Sequence, residues 1–418
     1  MVKHIKSSYK ILSAPGSAFT NHYKWIVVVI LFIFGMVSFG LRFSFSVFFK
    51  SLQAEFGLSR TSISTVFSMY MLLSALFVIV GGWALDRYGE KKVFLLAGFF
   101  VSLSLMLTSR ITASWQLFIT YSFLFAVGTS SVYVNSMSTV SRWFPKSKGF
   151  ALGIVTSGPS IGMIVFSPIS AFLISHYGWR NSYSILSLIA FFTMIPCSLV
   201  LRKSHAKASP LPDDTNKEKV DNAYGLSPSQ AVRMSSFWLM IGILFLLSAC
   251  AYCVLTHIVP HAIDIGIDPI KAASMLSLIG LGGLLGRLGM GRASDSIGSK
   301  KGMLIAALLM GASVLWLMGS FNLWMLYVFS MIFGFAFGAT APLNAALIGD
   351  TFGLRHIGLI MAIIEIGWES GAAFGPALAG YIFDITGSYS KAFLATAIAS
   401  FLGALLIILI KRPSGASK

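Results

Sequence analysis

Charge is what this sequence has least of. Only 11% of its 418 residues are Asp, Glu, Lys or Arg, and acids are the scarcer sign, 14 against 31 bases. A soluble globular chain carries about 25% charged residues, so water is excluded as the main solvent. Cysteine is nearly absent too: Cys197, Cys250 and Cys253 all sit in apolar stretches. Cys250 and Cys253 lack the flanking Cys or His ligands a zinc site needs, which leaves them as small packing residues. With no P-loop, metal cluster or nucleophile triad either, neither an enzyme nor a cofactor is expected. The net charge of +17 is dispersed between apolar runs and forms no basic patch or tail, so nucleic acid is not an expected partner.

What is present is apolar length. The chain is 56% hydrophobic with mean hydropathy +0.81, and runs of about 20 residues, enough to cross ~30 Å of hydrocarbon, recur along almost all of it. The reading is an all-α membrane protein with twelve spans at 25–49, 63–84, 93–110, 115–138, 150–173, 182–201, 236–260, 273–291, 302–321, 324–347, 358–381 and 391–411. The first run is too long for a signal-peptide core and has no small-residue cleavage site, so it is expected to be retained. The long polar segment 202–233, with Ser209, Pro210, Pro212, Asp213, Asp214, Lys217, Glu218 and Lys219, reads as a linker. Residues 1–24 then form an N-terminal segment, 25–201 and 234–411 two six-helix bundles, and 412–418 a tail.

Orientation follows from the bases. Of the 31 Lys and Arg, 23 fall in the termini, the linker and the even-numbered loops, 6 in the odd-numbered loops, and Arg42 and Arg287 lie inside spans. The positive-inside rule makes both termini and the linker cytoplasmic, in what reads as a bacterial plasma or inner membrane.

Shifting the sequence by 209 residues superimposes Gly82, Asp86, Gly89, Lys91 and Lys92 on Gly291, Asp295, Gly298, Lys300 and Lys301. The same shift pairs Gly57 with Gly266, Gly149 with Gly358, Gly158 with Gly367, Gly162 with Gly371, and Gly178 with Gly387. Two parallel repeats of six helices, related by an axis along the membrane normal, are expected to hold a substrate near the midplane between them.

Two segments carry a family resemblance. Gly81-Gly82-Trp83-Ala84-Leu85-Asp86-Arg87-Tyr88-Gly89-Glu90-Lys91-Lys92 resembles the loop 2–3 signature of the major facilitator superfamily, with a weaker echo at Gly291 to Lys301. Trp143-Phe144-Pro145-Lys146-Ser147-Lys148-Gly149-Phe150-Ala151-Leu152-Gly153, continuing to Gly158 and Gly162, resembles the loop 4–5 and helix 5 signature of monocarboxylate transporters. Val47-Phe48-Phe49-Lys50 and Gly286-Arg287 are similar to that branch and to the bacterial oxalate–formate exchangers. The resemblance covers both halves, with departures. His22-Tyr23-Lys24-Trp25 replaces the acidic-glycine opening of animal members, and Gly283 stands where they carry an acid one turn before the arginine. It implies the major facilitator fold and alternating access, with Asp86, Arg87, Lys91, Arg292 and Asp295 as gate residues that lock one face.

Ionisable groups inside spans cost about 2.5–3.5 kcal/mol on insertion scales and persist only with a partner, a wet cavity or a function. Arg287 lies about two turns, ~12 Å, from the gate loop, too far to snorkel easily. Its planar guanidinium suits a carboxylate, and the family resemblance points to the same residue as anion ligand. The alternative is a salt bridge to Glu365 or Glu369. Arg42, late in the first span, reads either as a cavity group or as a snorkelling or outer-gate residue. Glu365 and Glu369 are four apart and stack about 6 Å apart on one helix face, so they repel when both are ionised. One of them is a candidate proton-coupling site; static pairing or helix packing is the other reading. His257 and His261 flank Pro260, where they are expected to satisfy carbonyls freed by the proline and could close the outer gate. Tyr133, Asn135, Asn344 and Trp368 are candidate pocket-lining groups, each with a polar tip.

The sequence therefore reads as a proton-linked secondary transporter of small monocarboxylates such as lactate or pyruvate. Its expected partners are a small organic anion, a proton and the lipid bilayer, and the oligomeric state is open, a monomer being compatible with the sequence. Efflux of amphiphilic or cationic compounds, with the two glutamates as cation site, is the alternative; a non-transporting nutrient sensor is a third.

Overall fold

The computed structural model describes residues 16–144, 148–201, 225–353 and 356–410. Ten of its helical stretches are long and apolar enough to cross a bilayer. One of them, within Lys148–Val200, reverses at Gly178 and holds two crossings, the fifth and sixth. The fourth is split into a π-helix Phe118–Phe125, a turn Ala126–Thr129 and an α-helix Val132–Trp143. Twelve crossings result, as the hydropathy pattern predicts.

The first runs over Gly16–Phe43 and Phe45–Phe56, the second over Arg60–Tyr88 and the third over Glu90–Thr108. After the sixth come the seventh (Ser235–Asp264), eighth (Pro269–Ile297), ninth (Ser299–Met318), tenth (Leu323–Phe352), eleventh (Ile357–Thr386) and twelfth (Ser390–Leu409). We call the end where the first crossing begins and the twelfth stops the linker end, and the opposite one the far end. Most helices overrun the hydrophobic spans by a turn or more, and two of them start at side-chain caps beyond the apolar run. Ser59 accepts from the Ser62 amide, and Asp268 from Ile270 and Lys271.

The 209-residue repeat has a structural cause. Six of the seven positive-φ glycines among the described residues fall into its pairs, Gly57 with Gly266, Gly89 with Gly298 and Gly178 with Gly387, and each ends a helix. The repeated glycines inside helices do different work. A Cβ on Gly158 would meet the Phe32 carbonyl oxygen, and one on Gly162 that of Met36, so the fifth crossing packs its backbone directly on the first. Gly367 and Gly371 meet the carbonyls of Ile241 and Phe245 in the same way, packing the eleventh on the seventh. All four contacts are copied at one offset. In a lipid solvent this close small-residue packing replaces the hydrophobic drive between helices.

The fourth crossing departs from the single α-helix read over 115–138. Hydroxyl bonds in both directions tie its wide turns to neighbouring crossings. Ser104 Oγ donates to the Thr120 carbonyl at 2.7 Å, and Ser122 Oγ to the Val66 carbonyl of the second crossing at 2.7 Å. Such side-chain bonds supply local partners that hydropathy does not register. Of the linker, 202–224 lie outside the described residues. The following chain docks on the tenth crossing, with the Leu226 amide donating to the Phe352 carbonyl at 2.9 Å, and enters a capped turn Pro228–Val232.

Candidate functional site

Across the halves, the second crossing packs on the eleventh and the fifth on the eighth. Charge concentrates at three levels of this interface.

At the far end the two halves are laced together. Arg60, 4% exposed, donates through Nη2 to both oxygens of Asp264 at 3.0 and 2.8 Å and through Nη1 to the Tyr389 hydroxyl. Its guanidinium carbon lies 4.3 Å from the centroid of the Phe383 ring. Lys50 reaches the same Asp264 at 2.5 Å. Asp384, from the end of the eleventh crossing, accepts from the amides of Arg60 and Thr61 at 2.9 and 2.8 Å and from the Thr61 hydroxyl at 2.6 Å. A carboxylate of one half thus caps the N-terminus of a helix in the other, where orphan amides and the helix dipole both favour negative charge.

His257 is wholly buried in this seal. Its Nε2 lies 3.0 Å from the Pro376 carbonyl and 3.2 Å from Ser64 Oγ, and its Nδ1 3.0 Å from the Tyr389 hydroxyl. His261 packs edge-on against Tyr389 and Phe393. Neither histidine satisfies the carbonyl freed by Pro260, so that expectation is corrected. The helix continues through the proline, and Ser46 Oγ of the first crossing donates to the freed Thr256 carbonyl at 2.8 Å. A hydroxyl already facing that carbonyl from the other half makes the imidazoles unnecessary there.

At the linker end the ion pairs among the described residues stay within one half. Asp86 pairs with Arg142 at 2.5 Å, and Arg142 also approaches Glu90 at 3.7 Å. In the second half Ser299 Oγ donates to Asp350 at 2.6 Å and Lys300 to the Ile408 and Ile410 carbonyls. Arg87 lies over Trp83 and Tyr88 of its own helix. Lys91, Arg292 and Asp295 are exposed.

At the midplane the structure gathers residues from both halves. Arg287 donates through Nη1 to the Thr156 carbonyl of the fifth crossing, while its Nε has no partner. The eighth crossing closes on the fifth at Gly280, where a Cβ would strike the Ser160 carbonyl, and on the tenth at Gly286, where one would strike the Phe335 carbonyl. Among the described residues neither Arg287 nor Arg42 forms an ion pair. The bridge from Arg287 to Glu365 or Glu369 is therefore not formed here: Glu365 accepts from Asn344 Nδ2 at 2.9 Å, and Glu369 Oε2 is buried without a partner. Tyr133 lies within electrostatic reach of both Arg287 and Glu365 and packs edge-on against Phe39 at 5.9 Å. Asn135 points elsewhere, donating to the Gly81 carbonyl at 3.3 Å where the second and fourth crossings meet.

Arg42 does not snorkel. Its Nη2 donates to the Tyr252 hydroxyl at 2.9 Å and approaches Met71 Sδ, and its guanidinium carbon lies 5.2–5.8 Å from the centroids of Phe39, Phe43, Tyr70 and Tyr252. Glu369 is its electrostatic neighbour. Tyr252 in turn meets Trp368 at 6.2 Å and Phe337 at 6.5 Å. Sequence reading missed Tyr252, Phe337 and the far-end group of Arg60, Asp264, Asp384 and Tyr389. The charges lie just outside apolar spans and look like ordinary loop residues, and the rings are three among many.

The model of the Major Facilitator Superfamily matches residues 30–289 and 258–418. Monocarboxylate transporter 13 of Bos taurus is 24% identical over 394 residues, covering 92% of this chain and 88% of its own. An uncharacterized MFS-type transporter of Bacillus subtilis, YcxA, is 26% identical, covering 88% and 90%. A fungal agnestins efflux protein of Paecilomyces divaricatus is 27% identical, covering 95% and 89%. Among solved structures, a bacterial homolog of the human lysosomal transporter Spinster, inward-facing and unoccupied, superimposes with TM-score 0.74 at 17% identity, covering 93% of this chain and 96% of that one.

Proposed function

This chain belongs to the major facilitator superfamily and is a multi-pass membrane transporter rather than an enzyme, and on that premise we propose that it carries a small monocarboxylate together with a proton by alternating access. The observation that carries this reading is Arg287, a cation at the interface of the halves that, among the described residues, bonds to a backbone carbonyl and to no carboxylate. A fixed guanidinium with donors to spare suits a carboxylate bidentately. Resemblance to monocarboxylate transporters over nine-tenths of the chain supports the same substrate class.

In the cycle, a proton on Glu369 or Glu365 offsets the charge of the entering anion, the halves rock, and both leave on the other side. Tyr133, Asn344 and Trp368 line the path, with Arg42 held beside it. The termini and linker are cytoplasmic, as the distribution of bases requires, so the arrangement with the far end laced shut is the inward-facing one. Asp86, Arg87, Lys91, Arg292 and Asp295 then serve the cytoplasmic gate, and His257 and His261 the outer one.

Uptake of labelled lactate or pyruvate into proteoliposomes under an imposed pH gradient tests the reading. Flux is expected in the wild type, none with Arg287→Lys, and exchange without pH-driven accumulation with Glu369→Gln. Absence of flux for any short carboxylate sinks the proposal. Resemblance to a fungal efflux protein, and a Glu369 Oε2 without a hydrogen-bond partner among the described residues, favour, as the second reading, efflux of an amphiphilic cation; proton-driven movement of such a cation in the same vesicles would establish it instead.

A further inference from the structure

Resting on the monocarboxylate reading, we propose that the preferred substrate carries an aromatic ring, an arylalkanoate whose carboxylate meets Arg287 and whose ring lies against Phe337 and Trp368. Three rings from three crossings of the second half converge beside the midplane charges. Phe337 and Trp368 are nearly parallel, 25° apart with centroids at 6.3 Å, and Tyr252 stands edge-on to both at 89° and 79°. These separations lie at the long end of the 4.5–7 Å range for aromatic pairs. Phe337 stacks also on Phe333 of its own helix, yet Phe337 and Trp368 are only half-buried, so part of each side chain stays open to a ligand.

The level is right for a ligand held by Arg287. Gly338, next to Phe337, packs on Gly283, and Gly283 precedes Arg287 by one turn of the eighth crossing. The backbone positions that carry the ring wall and Arg287 are thus offset by roughly 6 Å along the helix axis. That offset suits a ring separated from a carboxylate by two or three carbons, whereas a three-carbon acid bound at Arg287 would leave the wall untouched.

Charge narrows the class further. Arg42 and Arg287 balance Glu365 and Glu369, so one carboxylate entering with one proton keeps the site neutral, whereas a dicarboxylate leaves an extra negative charge at high cost. A ring-bearing cation is disfavoured by the same arrangement: the faces of Phe39, Phe43, Tyr70 and Tyr252 already surround the guanidinium of Arg42, which would repel it.

The test compares lactate with 3-phenyllactate, which differs from it only by the ring. In proteoliposomes under a pH gradient, phenyllactate should be accumulated and should half-inhibit labelled lactate uptake at a concentration at least tenfold below that at which unlabelled lactate does. Trp368→Leu and Phe337→Leu should each shrink that ratio to about two. Purified wild-type protein should also gain more thermal stability from phenyllactate than from lactate, a readout that holds if a variant fails to fold. Lactate uptake with no preference for phenyllactate overturns this inference and leaves the monocarboxylate reading standing. A preference that both variants retain overturns the placement of the ring. No flux of either acid, or flux of phenethylamine in their place, overturns both.

Discussion

The far end and the linker end of this molecule spend similar charges in different ways. At the far end Arg60, Asp264, Asp384 and Tyr389 bond across the two halves, and Arg60 is nearly buried. At the linker end Asp86 and Arg142 pair within the first half, and Asp86 stays 67% exposed. The contrast teaches where the conformational energy lies. An exposed ion pair inside one half is worth about 0–1 kcal/mol and does not sense the other half. A buried cation shared between halves loses several kcal/mol when one partner is removed.

Three substitutions sharpen or break that contrast, read by labelling Ala262→Cys, a buried far-end position, with a membrane-impermeant maleimide after the three native cysteines are replaced. The largest effect is expected from Arg60→Ala, which strips Asp264 and Tyr389 of their shared donor. Removing one partner of a buried pair costs about 3–5 kcal/mol, so labelling should accelerate at least tenfold. An unchanged rate would show that helix packing alone holds the far end shut. Asp384→Ala should act in the same direction more weakly, since a lost N-cap costs about 1 kcal/mol. A few-fold acceleration is expected, with Asp384→Asn retaining most of the closure because an amide oxygen still accepts. The smallest effect belongs to Asp86→Ala: far-end labelling should stay within twofold of the parent. A rate matching that of Arg60→Ala would mean that the two ends are coupled through the second crossing.

Much of the scaffold was legible because its signals are local or repeated. Twelve crossings follow from apolar length, and the glycine pairs follow from a positive φ or a close backbone contact at the same place in each half. The midplane charges were legible as candidates because hydrocarbon makes each of them costly. Their partners were not. Arg287 reaches the carbonyl of Thr156 rather than a glutamate, Asn135 turns to Gly81, and Asn344 holds Glu365. Each such choice depends on which helix face meets which, and spacing within one helix does not contain it.

The sequence alone determined the solvent of this protein, its number of crossings, its twofold repeat and the few ionisable groups inside the membrane, because each is fixed by composition or by a pattern along one segment. The tertiary structure alone decided that Pro260 is answered by Ser46, that Asp384 caps a helix 324 residues away in sequence, and that Arg42 sits among aromatic rings. The first two pairings, and the bond from Arg42 to Tyr252, join residues from different halves, and they depend on the arrangement that brings the far ends of the two bundles together.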